Sequence, residues 1–207
     1  MSLDTWSLVP DHVMLDASEL AAATAPVAGR SCGTCTMCCK LFDVPEVAST
    51  AGKWCRHCSP GKGCRIYETR PQSCRSFFCG WMVSPTLGPE WKPERAKIIL
   101  QFHVVGEIYW LTAYVDESYP TAWQRPELYE RLKKFARANG AVGGTINLMV
   151  AVRIGRRHIV ILPDRDVDLG IVADDEELAV TARDGLMDIG KVKRRQTDSA
   201  AIRNSFV

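Results

Sequence analysis

Nine cysteines crowd into one stretch of this 207-residue chain, and they are the residues in it best suited to do chemistry. Cys32, Cys35, Cys38 and Cys39 fall within eight residues, and Cys55, Cys58, Cys64, Cys74 and Cys79 follow. None lies outside 32–79. A two-residue gap lets one tight turn aim two thiolates at a single ion while the backbone amides of the turn point at the sulfurs. Two or three such turns, brought together by folding, complete a tetrahedral site. Three successive cysteines at this gap also match the run that wraps one face of a cubane iron–sulfur cluster. The candidate metal ligands are therefore Cys32, Cys35, Cys38, Cys39, Cys55, Cys58, Cys64 and Cys74, with zinc or an iron–sulfur cluster as the implied cofactor.

Sulfur arithmetic narrows the arrangement. One zinc or one four-iron cluster uses four sulfurs, so nine cysteines suffice for two sites with one left over. Cys38 and Cys39 are neighbours whose side chains diverge, which favours Cys32, Cys35 and one of that pair on a first site and the other on a second. Pro71 suits the first turn of a short helix. Cys74 then falls within a turn of a helix N-terminus, where the dipole favours a thiolate. Continued onward, that helix puts Cys74, Phe78 and Trp81 on one face and turns Cys79 away. Cys79 is accordingly the weakest ligand candidate, and His57, a spacer inside Cys55-x-x-Cys58, is expected to be exposed. Arg70 and Arg75 are candidates to donate to sulfurs or to Glu68. Three chemistries stay open: structural zinc knuckles, an iron–sulfur centre and free redox-active thiols.

The segment Cys64-Arg-Ile-Tyr-Glu-Thr-Arg-Pro-Gln-Ser-Cys74-Arg, with Cys32-x-x-Cys35-x-x-Cys38-Cys39 before it, resembles the zinc- or iron-chelating CxxCxxCC proteins, often described as iron–sulfur oxidoreductases. The resemblance covers roughly a quarter of the chain, and Cys55 and Cys58 compete for its mid-segment cysteine. It implies metal chelation at those positions, with a redox enzyme or electron carrier as one outcome and a zinc-stabilised interaction module as the other. It supplies no reaction.

Charge supports the same stretch. The chain carries a net +2 overall, but residues 1–30 hold −3, residues 31–97 hold +5 and residues 98–207 hold zero. Nearby cations lower the cost of gathering thiolates. A hydrophobic fraction of 46% and a charged fraction of 24% are globular averages, which exclude disordered and fibrous classes. No run reaches the roughly 18 apolar residues of a membrane span. The acidic first thirty residues do not read as a secretory signal, so the expected location is cytoplasmic and no membrane partner is expected.

The elements that must position the cysteines lie mostly beyond them. The expected division is an N-terminal arm (1–30, with a short helix near Asp16–Ala23), the cysteine-rich segment (31–80), a proline-rich linker (81–96), a small α+β region (97–190) and a flexible tail (191–207). Lys97–Val105 and Glu107–Val115 read as a hairpin about Gly106, and Thr145–Ile154 with His158–Pro163 as a second about Gly155. Pro126 opens a helix whose Leu128, Leu132 and Phe135 share a face and which closes at Asn139-Gly140. Asp174–Met187 reads as a final helix. The fold class is α+β: a cysteine segment packed on a small antiparallel sheet of about four strands with one or two helices.

Weaker signals carry less. Asp164 to Gly170 has calcium-loop carboxylates, but the glycine is late and position twelve is Asp175, so a solvated turn is the expectation. Trp91, Trp110 and Trp123 do not interleave with a basic stripe, and Lys191, Lys193, Arg194 and Arg195 make only a short basic tail, so a nucleic-acid partner is not expected. There is no phosphate loop, dinucleotide fingerprint or triad.

Overall fold

Alternation of Ile, Leu, Val and aromatic residues makes two strands, β3 (Ile98–Val105) and β4 (Ile108–Val115), which pair antiparallel in full register from Ile98↔Val115 to Val105↔Ile108. The structure is a computed structural model that describes residues 25–105, 108–139, 148–183 and 186–194. The helix expected near Asp16–Ala23 and most of the expected tail lie outside them.

Three further strands, β5 (Leu148–Ile154), β6 (Arg157–Ile161) and β7 (Asp166–Ile171), extend the sheet in the order β3-β4-β5-β6-β7. Both expected hairpins are present. The sheet is nonetheless mixed, because β4 and β5 run parallel. A parallel pair needs a long crossover, and the chain supplies it with the 14-residue helix that begins at Pro126 and ends at Asn139. That helix buries Leu128, Leu132 and Phe135 against Ile98, Leu100, Leu111, Val150, Val152 and Ile159 on one face of the sheet.

β7 stands where a solvated turn was expected. Its carboxylates are spent on neighbours: Asp166 accepts from Lys133 Nζ at 2.8 Å and from the Tyr129 hydroxyl at 2.8 Å, and Asp168 pairs with Arg157. The expected final helix is instead an antiparallel hairpin of β8 (Glu176–Arg183) and β9 (Leu186–Lys193). Leu178 and Val180 alternate inward and, with Ile189, pack on Trp110, Met149, Ala151 and Val160 of the sheet's second face.

The cysteine segment packs on another part of that second face. Met37, Cys79 and Met82 cluster with Ile99, and Tyr114 packs against them. Its regular pieces are short: α1 (Cys38–Leu41), the strand pair β1 (Cys58–Ser59) and β2 (Gly63–Cys64), α2 (Gln72–Ser76) and α3 (Gly80–Val83). Residues 81–96, proline-rich and expected as a linker, place Leu87, Trp91 and Ala96 in the main core, ending in a turn of helix over Pro93–Ala96. Arg30 pins this stretch by donating to the carbonyls of Trp81, Ser84 (2.6 Å) and Leu87 (2.7 Å).

Candidate metal centre

Each cysteine is aimed by a local turn. The amide of Cys35 bonds the Cys32 carbonyl at 2.8 Å, and the amide of Cys58 bonds the Cys55 carbonyl at 2.9 Å, so both Cys-x-x-Cys pairs close into tight turns. The amide of Cys55 reaches back to the Cys39 carbonyl at 2.8 Å, which docks the second turn on α1. Cys58 and Cys64 stand directly opposite across β1 and β2, a pairing that puts two side chains on the same face with Cβ atoms about 5 Å apart.

Cys39 is the hub. Cys38 and Cys58 bear on its ionisation, and an ionised Cys39 would in turn raise the pKa of Cys32 and Cys74. Cys74 also senses Cys64. Cys39, Cys58, Cys64 and Cys74 are therefore linked in a ring by mutual electrostatic influence and strand register, without converging on one point. Cys32, Cys35 and Cys79 form a second group, each sensing another. Cys55 adjoins Cys58, and through these links all nine cysteines belong to one net. All nine thiols are free.

Cys79 is the residue that sequence reasoning undervalued. A helix running on from Pro71 would turn it away, but α2 stops at Ser76, and Phe77 is extended with φ −81 and ψ 120. The break re-aims Cys79, which is buried; the Met82 amide bonds its carbonyl at 2.8 Å, and the Met82 and Trp81 amides lower the cost of ionising its thiol. The Met37 and Glu94 amides do the same for Cys35. A readable signal was the glycine after Cys79. A Cβ at Gly80 would stand 2.9 Å from Leu100 Cβ, so only glycine lets this turn lie on the sheet.

The expected thiolate at Cys74 is not favoured. Burial, followed by the charges of Cys39 and Cys64 against a helping Ser73 hydrogen bond, pushes its pKa up, and a five-residue helix offers too little dipole to compensate. Burial also raises Cys32 and Cys35, and takes Cys58 and Cys79 to about 11. Cys39 is raised first by its hydrogen bond with Cys38. Such groups are protonated at neutral pH, whereas reactive redox cysteines are marked by a lowered pKa.

Arg70 and Arg75 bind backbone rather than sulfur or Glu68. Arg70 donates to the Tyr67 carbonyl at 2.6 Å and stacks on the Tyr67 ring, and Arg75 donates to the Arg70 carbonyl at 2.8 Å. The charge of Arg70 still favours ionised Cys32. His57 is half-buried, its Nε2 accepting from Arg56 at 3.2 Å.

The donor set fits a thiolate-held zinc or iron–sulfur centre in its chemistry: free sulfurs in one net, with amides that already ease the ionisation of two of them. As they stand, no three His, Cys, Asp or Glu side chains among the described residues are grouped to hold one ion. Protonated thiols have no common charge to converge on, so a closed ligand set requires deprotonation and an ion together. Beside the first turn lies a cavity of about 310 Å³ lined by Thr36, Lys40, Trp54, Glu94, Asp116 and Tyr119. Comparison with family models, curated proteins and solved structures returns no match, so the CxxCxxCC resemblance stands on its quoted residues alone.

Proposed function

We propose that this chain is a metal-chelating protein, with Cys39, Cys58, Cys64 and Cys74 as one ligand set and Cys32, Cys35 and Cys79 as a second. The observation that carries it is the ring in which Cys39 meets Cys58, Cys58 faces Cys64, Cys64 neighbours Cys74 and Cys74 returns to Cys39. Zinc there would supply shape without electron transfer, whereas an iron–sulfur cluster would supply a redox centre.

The chain's own residues prepare the site. Phe42 and Phe77, in edge contact at 5.0 Å, pack together with Cys35 and Cys38 on the Met37, Cys79, Met82 and Ile99 cluster, and the Arg70 charge offsets that of Cys32. Anaerobic purification with metal and acid-labile sulfide quantification tests the reading. Stoichiometric zinc, or iron with sulfide, supports it and decides between the two; protein that folds with neither overturns it.

A second reading, a zinc-stabilised interaction module, is favoured by one observation. Lys53, Arg56, Lys62, Arg65, Arg70 and Arg75 form no ion pair among the described residues, while Trp54 and Tyr67 are more than 40% exposed beside them. A colourless, zinc-loaded protein with no dithionite-sensitive absorbance favours this reading over a redox one.

A further inference from the structure

The cavity of about 310 Å³ beside the first cysteine turn is not charge-balanced. Its charged lining residues, among those described, are Lys40, Glu94, Lys97 and Asp116. Lys40 is matched by Asp116 at 2.6 Å, and Glu94 by Lys92 at 2.6 Å. Lys97 has no carboxylate within ion-pair distance among the described residues. Its ammonium donates to the Glu94 carbonyl at 2.8 Å and lies 5.2 Å from the ring centre of Tyr119, which also lines the cavity.

Lysine is an unexpected residue at this position. Lys97 follows the turn of helix over Pro93–Ala96 with φ 60 and ψ 24, in the left-handed region where glycine is the usual choice. Its amide bonds the Pro93 carbonyl at 2.8 Å, and its carbonyl accepts from the Asp116 amide at 2.9 Å. Those two bonds hold the backbone in place, and neither needs a side chain. The lysine therefore stands against a local backbone preference. It is also half-buried, and a cation so placed without a counter-charge carries a second cost, which an anion in the cavity relieves.

The rings indicate what else the anion carries. Trp54 and Tyr119 are 42% and 51% exposed on the lining of this one concavity, and Met37 and Pro60 add apolar surface. Lys40 Nζ lies 5.5 Å from the Trp54 ring centre, as Lys97 lies over Tyr119, so each ring already has a cation at one face. A cationic guest would meet like charge there. We infer that the cavity binds a small aromatic carboxylate, whose acid group pairs with Lys97 and whose ring lies against Tyr119 and Trp54. The volume falls at the small end of the roughly 300–1,000 Å³ of ligand pockets, which suits a guest of one or two rings. No cysteine lines the cavity among the described residues, so binding here does not require the metal centre.

The test is ligand-observed fluorine NMR on the whole protein with para-fluorobenzoate. The matching benzyl alcohol supplies the ring without the charge, and trifluoroacetate the charge without the ring. Saturable broadening of para-fluorobenzoate is expected, with both controls binding about tenfold more weakly or less. Lys97→Gly removes the ammonium and keeps a backbone turn that glycine adopts freely. It should weaken para-fluorobenzoate by about tenfold or more, the worth of one charged hydrogen-bonding group. Trp54→Ala, at an exposed ring, should weaken it severalfold, and it decides the matter if Lys97→Gly does not fold. No saturable broadening, equal binding of either control, or full binding by either variant overturns the inference.

Discussion

Lys40 Nζ lies 2.6 Å from Asp116 Oδ1, joining the helix that carries Cys38 and Cys39 to the end of β4. Both side chains are nearly buried, at 13% and 4% exposure, so this is an ion pair between two layers of the fold and not a surface contact. Lys40 also donates to Ser118 Oγ at 2.9 Å and lies over the Trp54 ring. The cysteine helix is thus fixed in place by a single cation with three partners.

Replacing that cation tests its role. Lys40→Met leaves a buried carboxylate without its partner, a change that typically costs about 3 kcal/mol. Chemical denaturation of the variant is expected to show a loss of this order. Hydrogen exchange is expected to rise in residues 38–55 before it rises in the sheet. An unchanged midpoint would mean the pair is a bystander.

The same pair predicts an acid limb. Burial pushes the Asp116 carboxyl up, but the Lys40 hydrogen bond, the Ser118 amide and the Lys40 charge outweigh it and hold the group below the usual carboxylate range. A depressed folded pKa gives stability that is fully present above the unfolded value of about 3.9 and is lost as pH falls through the folded pKa. Asp116→Asn should therefore be less stable than wild type at neutral pH, with the difference shrinking once the pH drops below about 4. Denaturant midpoints for both proteins across that window measure it.

Where sequence logic succeeded and failed follows from which forces act locally. The β3–β4 and β5–β6 hairpins and the Leu128–Leu132–Phe135 face were legible because burial imposes their period directly on the chain. β7 was not, because an edge strand puts Asp166 and Asp168 outward, and their partners Lys133 and Arg157 lie far off in sequence. β8 was read as a helix because Ala, Glu and Leu favour one, whereas packing of Leu178 and Val180 on the sheet imposes a period of two. The parallel β4–β5 pairing is a tertiary choice that leaves no local mark. At the site, the cysteine density was plain, but the partition was not. Cys79 joins Cys32 and Cys35 only because the backbone breaks at Phe77.

Ligand variants should separate the hub from its periphery. Cys39→Ser removes the member of the ring that meets both Cys58 and Cys74, so metal content at the four-cysteine set is expected to fall to near zero. Cys55→Ser removes a neighbour of Cys58 that lies outside the ring and is expected to keep most of the metal. Equal losses in the two variants would refute the partition.

Metal removal should act locally as well. Ligation and folding are coupled when the ligands come from a segment that lacks its own core. A chelator is expected to speed hydrogen exchange across residues 32–79 and to spare the strands and the Pro126–Asn139 helix, whose main core draws on no residue of that segment. Uniform acceleration would show that the segment and the sheet fold as one unit.

Gly80 offers the sharpest steric test, because it couples the cysteine turn to the sheet through one missing atom. The Cβ of Gly80→Ala would stand 2.9 Å from Leu100 Cβ and 3.3 Å from the Leu100 carbonyl oxygen, so part of the clash is with backbone that cannot rotate away. Overpacking of this kind costs roughly 1–3 kcal/mol, which should lower the melting temperature by several degrees. The displaced turn should also expose the Cys79 thiol, now buried, to a thiol-specific reagent in metal-free protein. Gly190→Ala is the matched control: its Cβ meets nothing within 4 Å, so its stability and thiol count should stay at wild-type values. A Gly80→Ala protein that melts with the control, its Cys79 still protected, would show that α3 can lift from Leu100 without disturbing the second cysteine group.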